Sequence, residues 1–530
     1  MKTISNPLQA SSVDTAKIDA VLTGRVQEGE PGFTVGVAVG GRPVYRRAFG
    51  LADVRRPELL RPDTVMSVGS ISKHFAAFAF LLLCDDGLAS PDDRLGRFLP
   101  HLHPANQDAV MRDVMGHVSG LWDACDASIL ANGVEPLRSV ADLLDFYRQS
   151  DGRNFAPREG WDYNNGGYEL VTAVIEAISG ATIGDFLTDR VFRPLGMKNS
   201  QLLNDGGRSL ASAAVAHVRD SESDTGWQTP KWGLGLGGAG GVVSTVDDML
   251  VWLAHMREPW LGSTETWSLM KQPQQLRNGF STTYGMGLSL YDYRGVSLIG
   301  HTGGGGGSNA QMIMMPEAGV DLIIQSNRGD LWSVDLSYQI MDILFGGPVQ
   351  ARKPGAWPGA GKFYNQGRNS LLELRHWDDK PALAIDDMVL PIIDDDAGAW
   401  TPPPGFDFFR YRLPPHALSD ETVLLEDYGE PVLFTRCWPS PPRDLSAYAG
   451  RYHCVATGAF LDILPTEEVR FQGGFGQASY LAEQVGDQVW TLRDEKTPDF
   501  ARATLRLDEE GGGLTITTSR NRCMRFQRCA

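Results

Sequence analysis

Ser70-Ile71-Ser72-Lys73 opens an apolar stretch that runs from Phe75 to Cys84. Val68-Gly69 before it and helix formers after it put Ser70 at a helix N-terminus, with the Lys73 amine one turn away on the same face. Such a hydroxyl attacks a carbonyl only if a base takes its proton, and a lysine is a base only when neutral. Burial and the positive helix end both disfavour the ammonium. For so short a motif the plain alternative is a capping serine beside an unrelated lysine. In Trp161-Asp-Tyr-Asn-Asn165, Tyr163 and Asn165 alternate on a segment that reads as extended, so both point the same way. A phenol beside a lysine ammonium has its phenolate stabilised and can exchange a proton with Ser70 or a leaving group. His301-Thr302-Gly303 follows a strand and begins the run Gly303 to Gly307. There the backbone can approach a substrate and present an N–H, from Gly303 or Gly304, beside that of Ser70. Alone, His301 reads as a turn residue and the glycines as a loop. All three motifs in this order are improbable by accident.

The elements that must position these groups are legible in outline. Phe33 to Val39 and Pro43 to Phe49 flank Gly40-Gly41 as a hairpin. Ser139 to Tyr147 and Tyr168 to Ile178 carry apolar residues at helical spacing, and Leu298-Ile299, Ala310 to Met315 and Val320 to Gln325 return to strands. Strands at both ends with helices between them predict an α+β layer in which first and last strands pair. Lys353 to Gly361 and Trp438 to Arg443 are Pro-rich breaks. Beyond the first, short strand-like patches replace helical periodicity. With 530 residues and roughly 150 per domain, the expected division is a catalytic domain over 1–347 and two small all-β modules over 348–440 and 441–530.

Composition narrows the partners. Hydrophobic residues at 42% and charged residues at 21% describe globular protein, and 65 acids against 48 Lys and Arg leave a net charge of −17. That surface repels phosphate, so neither a nucleic acid nor an anionic membrane is expected to bind it. The apolar run from Phe75 falls short of the ~20 residues a bilayer requires. Six cysteines without a CxxC pair read as free thiols, and Met1 to Ala16 lacks an apolar core, so a cytoplasmic location is expected. Gly233-Leu-Gly-Leu-Gly-Gly238 fits a dinucleotide fingerprint literally but lacks the strand and acid that belong with it, and lines a cleft or forms a turn instead. His101 and His103 lack a third ligand, no GxSxG elbow exists, and the runs Asp386-Asp387 and Asp394 to Asp396 read as exposed turns. Trp357, Trp377, Trp400 and Trp490 read as barrel core or interface. No metal or cofactor is expected.

With these motifs the chain resembles the serine β-lactamase and penicillin-binding-protein superfamily in its class C-like branch. His117-Val-Ser-Gly-Leu121, Pro194-Leu-Gly-Met197, Gly240 to Thr245 with Asp247-Asp248, and Tyr284-Gly-Met-Gly287 support the resemblance from about position 33 to 327. Within it the chain is most similar to D-aminopeptidases, which implies a β-lactamase-like domain followed by two antiparallel, lipocalin-like barrels and suggests a homodimer. The resemblance makes Ser70 the nucleophile, Lys73 its base, Tyr163 the proton relay and Asn165 a substrate-amide ligand. His301 stands where a lysine is usual, which relaxes the demand for a substrate carboxylate. D-aminopeptidases carry an acid on a barrel loop that meets the substrate's free amine. The matching stretch here, Gly473 to Tyr480 with Gly476, Gln477 and Ala478, holds no acid. The implied activity is an acyl-enzyme hydrolysis of small peptides, amides or esters. Release of N-terminal D-residues comes first; an esterase or amidase indifferent to a free amine, or a non-catalytic binding module, are the alternatives.

Overall fold

The computed structural model describes residues 8–134, 138–203, 213–293, 295–346, 359–377, 379–395, 398–403, 406, 408–438, 441–466, 468–494, 501–508 and 512–529. Its central layer is a six-stranded antiparallel sheet. The strands are Phe33–Val39 (β1), Arg42–Phe49 (β2), Ser289–Tyr293 (β3), Val296–Gly305 (β4), Ser308–Met315 (β5) and Val320–Ser326 (β6), in the order β3-β4-β5-β6-β1-β2. The expected pairing of first and last strands is present: Phe33 lies opposite Ser326 and Val39 opposite Val320.

Both faces of this sheet are covered, which is why β1 and β6 read as unbroken apolar runs. Alternate residues feed two cores. Met312, Met314 and Ile323 point to one face, where they meet the helices Ser72–Asp85 (α1) and Val246–Arg257 (α4). Val35, Val37, Ile313 and Leu322 point to the other, against Thr15–Thr23 and Ser333–Leu344 (α5). Two further helices, Ala124–Asn132 (α2) and Asn165–Ser179 (α3), complete the first core. Among the described residues no single helix is long and apolar enough to cross a membrane.

Two β modules follow. The strands between Gly361 and Arg436 form a seven-stranded antiparallel half-barrel. Its two edges are linked through the small hairpin Ile393–Asp394/Trp400–Thr401, since Trp400 pairs with Leu413 beside the last strand of the sheet. The strands between Gly450 and Arg528 form a closed eight-stranded barrel, cored by Tyr452, Trp490, Leu505 and Phe526. The linker residues 353–358, Trp357 among them, Pro439 and Ser440 of the second break, and Asp396 of the second acidic run lie outside the described residues. All six cysteines are free thiols. Asp386 and Asp387, expected in an exposed turn, are a correction. Asp386 is buried, accepting from Ser370 Oγ at 2.8 Å, Leu371 N at 2.9 Å and Thr504 Oγ1 at 2.8 Å, and Asp387 accepts from Ser519 N. This turn is where the half-barrel meets the closed barrel.

Candidate active site

Ser70 lies in a single 3₁₀ turn, Gly69–Ile71, that runs straight into α1. Gly69 has φ +53°, and a Cβ there would sit 2.6 Å from Gly304 N. Only glycine lets β4 pass so close to the nucleophile. The same holds from the other side: a Cβ on Gly303 would meet Val68 O at 1.9 Å and Ser70 N at 3.1 Å. β3 covers β4 only as far as Gly300, so from His301 onward the outer edge of β4 is free to face Ser70. The two-residue turn Gly306-Gly307 makes Gly305 and Ser308 a hydrogen-bonded pair and leaves the Gly304 N–H directed away from β5, toward that edge. The N–H groups of Ser70 and Gly304 thus converge as an oxyanion pair. Replacing Gly303 by Ala pushes β4 off the turn. Turnover should fall by about 10²-fold or more while circular dichroism still reports a folded chain.

Lys73 is fully buried on α1. Its Nζ is 2.7 Å from Asn165 Oδ1, 2.7 Å from Ala239 O and 3.1 Å from Ser70 Oγ. A neutral amine has two N–H groups and one lone pair. The two carbonyl oxygens can only accept, so they take both N–H groups and the lone pair faces the Ser70 hydroxyl. Burial, with the Arg520 guanidinium as the second cause, lowers the Lys73 pKa to about 7. Lys73 thus has the free lone pair and the lowered pKa that a base toward Ser70 requires.

Tyr163 packs beside Lys73, whose Nζ is 4.7 Å from the ring centroid. The expected stabilised phenolate is corrected: burial pushes the phenol well up, although a hydrogen bond with Ser70 and the charge of Arg520 oppose this. Tyr163 therefore keeps its proton at neutral pH and is able to donate it. Asn165 is also displaced from expectation, because it begins α3 instead of extending a strand. The sequence Asn165-Gly166-Gly167 is a poor helix start. It is held by Asn164 Oδ1, which accepts from Gly167 N at 2.7 Å, and by Asp123, which accepts from Asn165 N at 3.0 Å and Gly166 N at 2.8 Å.

His301, expected among the catalytic groups, lies beside Tyr163 with the ring centroids 6.3 Å apart. Its Nδ1 contacts Thr302 O and its Nε2 lies 2.8 Å from Tyr284 Oη. The carbonyl can only accept, so Nδ1 carries the proton and the tyrosine donates to Nε2. Burial and Lys73 lower its pKa to about 3, which keeps the imidazole neutral with both nitrogens engaged.

Several contributors were given no role at the site by the sequence. Glu169, one turn beyond Asn165, accepts from Gly237 N at 3.0 Å and Ala239 N at 3.2 Å, and so holds the loop whose carbonyl meets Lys73. Burial pushes its pKa up to about 7. Gly237 and Gly238 of the 233–238 run thus lie behind the site, against Glu169 and Thr172, while Gly233 and Gly235 bond to Val134 and Arg138. His117 Nδ1 accepts from Asn164 N at 3.1 Å. Phe408, from the half-barrel, covers the site with its ring centroid 5.9 Å from Tyr163 and 6.4 Å from His301.

The barrel segment that enters the site is not the one anticipated. Gly476, Gln477 and Ala478 belong to a hairpin that docks on α2 and the residues after it. Asn132 and Arg138 donate to Phe475 O, Gln477 is exposed, and Ala478 packs on the barrel core. The residues that arrive instead are Thr518 to Arg522. Arg520 lies 5.4 Å from the Tyr163 ring centroid, and Trp161, Tyr163, Phe409 and Arg520 are among the residues lining a cavity of about 10 Å³. Nothing in spacing or composition marks this loop, because tertiary docking alone brings it here.

A serine at a helix start, a buried amine, a phenol and the free edge of the neighbouring strand converge here. Residues 18–338 match the family model described as Beta-lactamase, and the chain belongs to that family. It is similar to the D-aminopeptidase of Brucella anthropi, 27% identical over 344 residues, which cover 63% of this chain and 64% of that one, less than two thirds of its length. Against penicillin-binding protein 4* of Bacillus subtilis it is 28% identical over 341 residues, 59% of this chain and 72% of that protein. Among solved structures, the octameric penicillin-binding protein homologue from Pyrococcus abyssi superposes with a TM-score of 0.58 at 20% identity, over 88% of this chain and all of that one. The D-amino acid amidase from Ochrobactrum anthropi SV3 gives 0.54 at 23%, over 62% and 98%. The structural matches speak to fold alone.

Proposed function

We propose that the protein is a serine hydrolase that cleaves small amides or esters through an acyl-enzyme on Ser70. The observation that carries this reading is the fully buried Lys73 amine, 3.1 Å from Ser70 Oγ with its two remaining partners both acceptors. Lys73 takes the hydroxyl proton as Ser70 Oγ bonds to the substrate carbonyl. The N–H groups of Ser70 and Gly304 hold the oxyanion, and Tyr163 passes a proton to the departing amine or alcohol with Lys73 behind it. Water then attacks the ester by the same route in reverse, releasing the acid and restoring Ser70.

A D-aminopeptidase or D-amino acid amidase is the second reading, favoured by the likeness to the Brucella anthropi enzyme. It calls for an anionic partner to the substrate's ammonium. The carboxylate beside the site, Asp123, already accepts from Cys125, Asn165 and Gly166 N–H groups, and the charge next to it is the cation Arg520. We therefore favour a hydrolase without a free-amine requirement. D-Ala p-nitroanilide, its N-acetyl form and p-nitrophenyl acetate separate the two. Comparable kcat/KM with and without the acetyl cap supports the favoured reading, and loss of turnover on acetylation supports the aminopeptidase.

A further inference from the structure

We infer that Arg520, delivered by the closed barrel, is a carboxylate-binding group of the catalytic site, and that the preferred substrates carry an anionic group on their acyl half. This rests on the serine-hydrolase reading above and specifies its substrate class.

The loop around Arg520 is clamped at nearly every polar atom except the guanidinium. Asn521 Oδ1 accepts from Asp123 N at 2.7 Å, while its Nδ2 donates to Asp123 O at 3.0 Å and Asp126 Oδ2 at 2.8 Å. Thr518 Oγ1 donates to Asp126, and Ser519 N to Asp387. Arg520 O accepts from Asn154 Nδ2 at 2.8 Å, and Arg522 N donates to Asn154 Oδ1 at 2.8 Å. Three modules of the chain therefore fix the Arg520 backbone in place.

The Arg520 side chain itself makes no hydrogen bond among the described residues. It forms one long ion pair, 3.6 Å from Arg520 Nη1 to Asp123 Oδ2, and the side chain is 28% exposed. That oxygen already accepts from Asn165 N. Arg522, two residues on, has a closer partner in Asp162. A planar fork of N–H donors, held rigidly and engaged only in that one long ion pair, suits a two-oxygen anion. The shared oxygen of Asp123 also locates it. Arg520 sits on the Asn165 side of Ser70, where an amide ligand would hold the acyl half of a substrate. A net charge of −17 gives no general attraction for anions, so selectivity must come from this one group.

The test compares three p-nitroanilides of equal chain length: the mono-anilide of glutaric acid, pentanoic acid anilide and 5-aminopentanoic acid anilide. The glutaric compound is expected to show kcat/KM at least about 10-fold above the pentanoic one, and the ammonium compound the lowest value. In Arg520→Met the glutaric preference falls to near unity, and Arg520→Lys retains part of it. Because the readout is a ratio between substrates in one protein, any general loss of activity cancels. Equal rates in the wild type, a faster ammonium substrate, or a preference that survives in Arg520→Met overturns the inference. So does absence of turnover when a fluorophosphonate still labels Ser70. Absence of both turnover and labelling rejects the hydrolase reading with it.

Discussion

Lys73→Met is expected to lower kcat/KM by about 10³-fold or more, and the wild-type enzyme to gain activity with rising pH around a midpoint near 7. The sign follows from which form works. The ammonium has no lone pair for the Ser70 proton, so activity tracks the free amine. With its pKa lowered from 10.5 to about 7, half of the Lys73 side chains are competent at neutral pH. At the ordinary lysine value only about one in 3,000 would be. Burial is the principal cause and Arg520 the next, so removing the guanidinium moves the midpoint upward. Lys73→Arg keeps a cation and its donors but cannot release a proton, and should be as inactive as Lys73→Met. Initial rates on p-nitrophenyl acetate from pH 5 to 9, fitted for one ionisation, read all of this directly.

Arg522→Met should destabilise the folded chain by about 3–5 kcal/mol at pH 8 and by clearly less at pH 5. Arg522 is the ionic partner of Asp162, whose side chain is buried between the catalytic domain and the two β modules. Burial pushes the Asp162 carboxyl up to about 6 even with the guanidinium against it. Its folded pKa lies above the unfolded value. The carboxyl's contribution to stability is thus fully present below about 4 and is lost as pH rises through about 6. Without Arg522 the folded pKa climbs further. At pH 8 the variant must either hold an unpaired buried charge or take up a proton, whereas at pH 5 the carboxyl is already protonated. Urea unfolding at the two pH values measures the difference. Pairing of this kind explains why the barrel is more than an appendage: Arg522, Asn521 and Thr518 satisfy Asp162, Asp123 and Asp126 of the catalytic domain.

What was legible in the sequence is what depends on near neighbours. Ser70 and Lys73 share one helical turn, so their spacing reports their geometry. The β1–β2 hairpin and the apolar β5 and β6 follow from alternation and glycine turns. Asn165 was misplaced because its helix has glycine at the second and third positions and its start is held by Asp123, 42 residues earlier in the chain and silent in local pattern. A Cβ on Gly166 would lie 2.3 Å from Tyr147 Oη, so packing rather than propensity chose that residue. The phenolate expectation for Tyr163 failed for a similar reason. Its charge state is set by burial in a cluster with Val118, Trp161, Tyr284 and, from another module, Phe408. Arg520 was invisible altogether, because one arginine among the 48 basic residues acquires its role only when two β modules dock.

The most direct test of the account is covalent labelling with a fluorophosphonate probe, followed by peptide mapping of the wild type and of Ser70→Ala. The account predicts one adduct, carried on Ser70, formed faster as pH rises past 7, and absent from the variant. An unlabelled wild type, or an adduct on another residue that persists in Ser70→Ala, would contradict it.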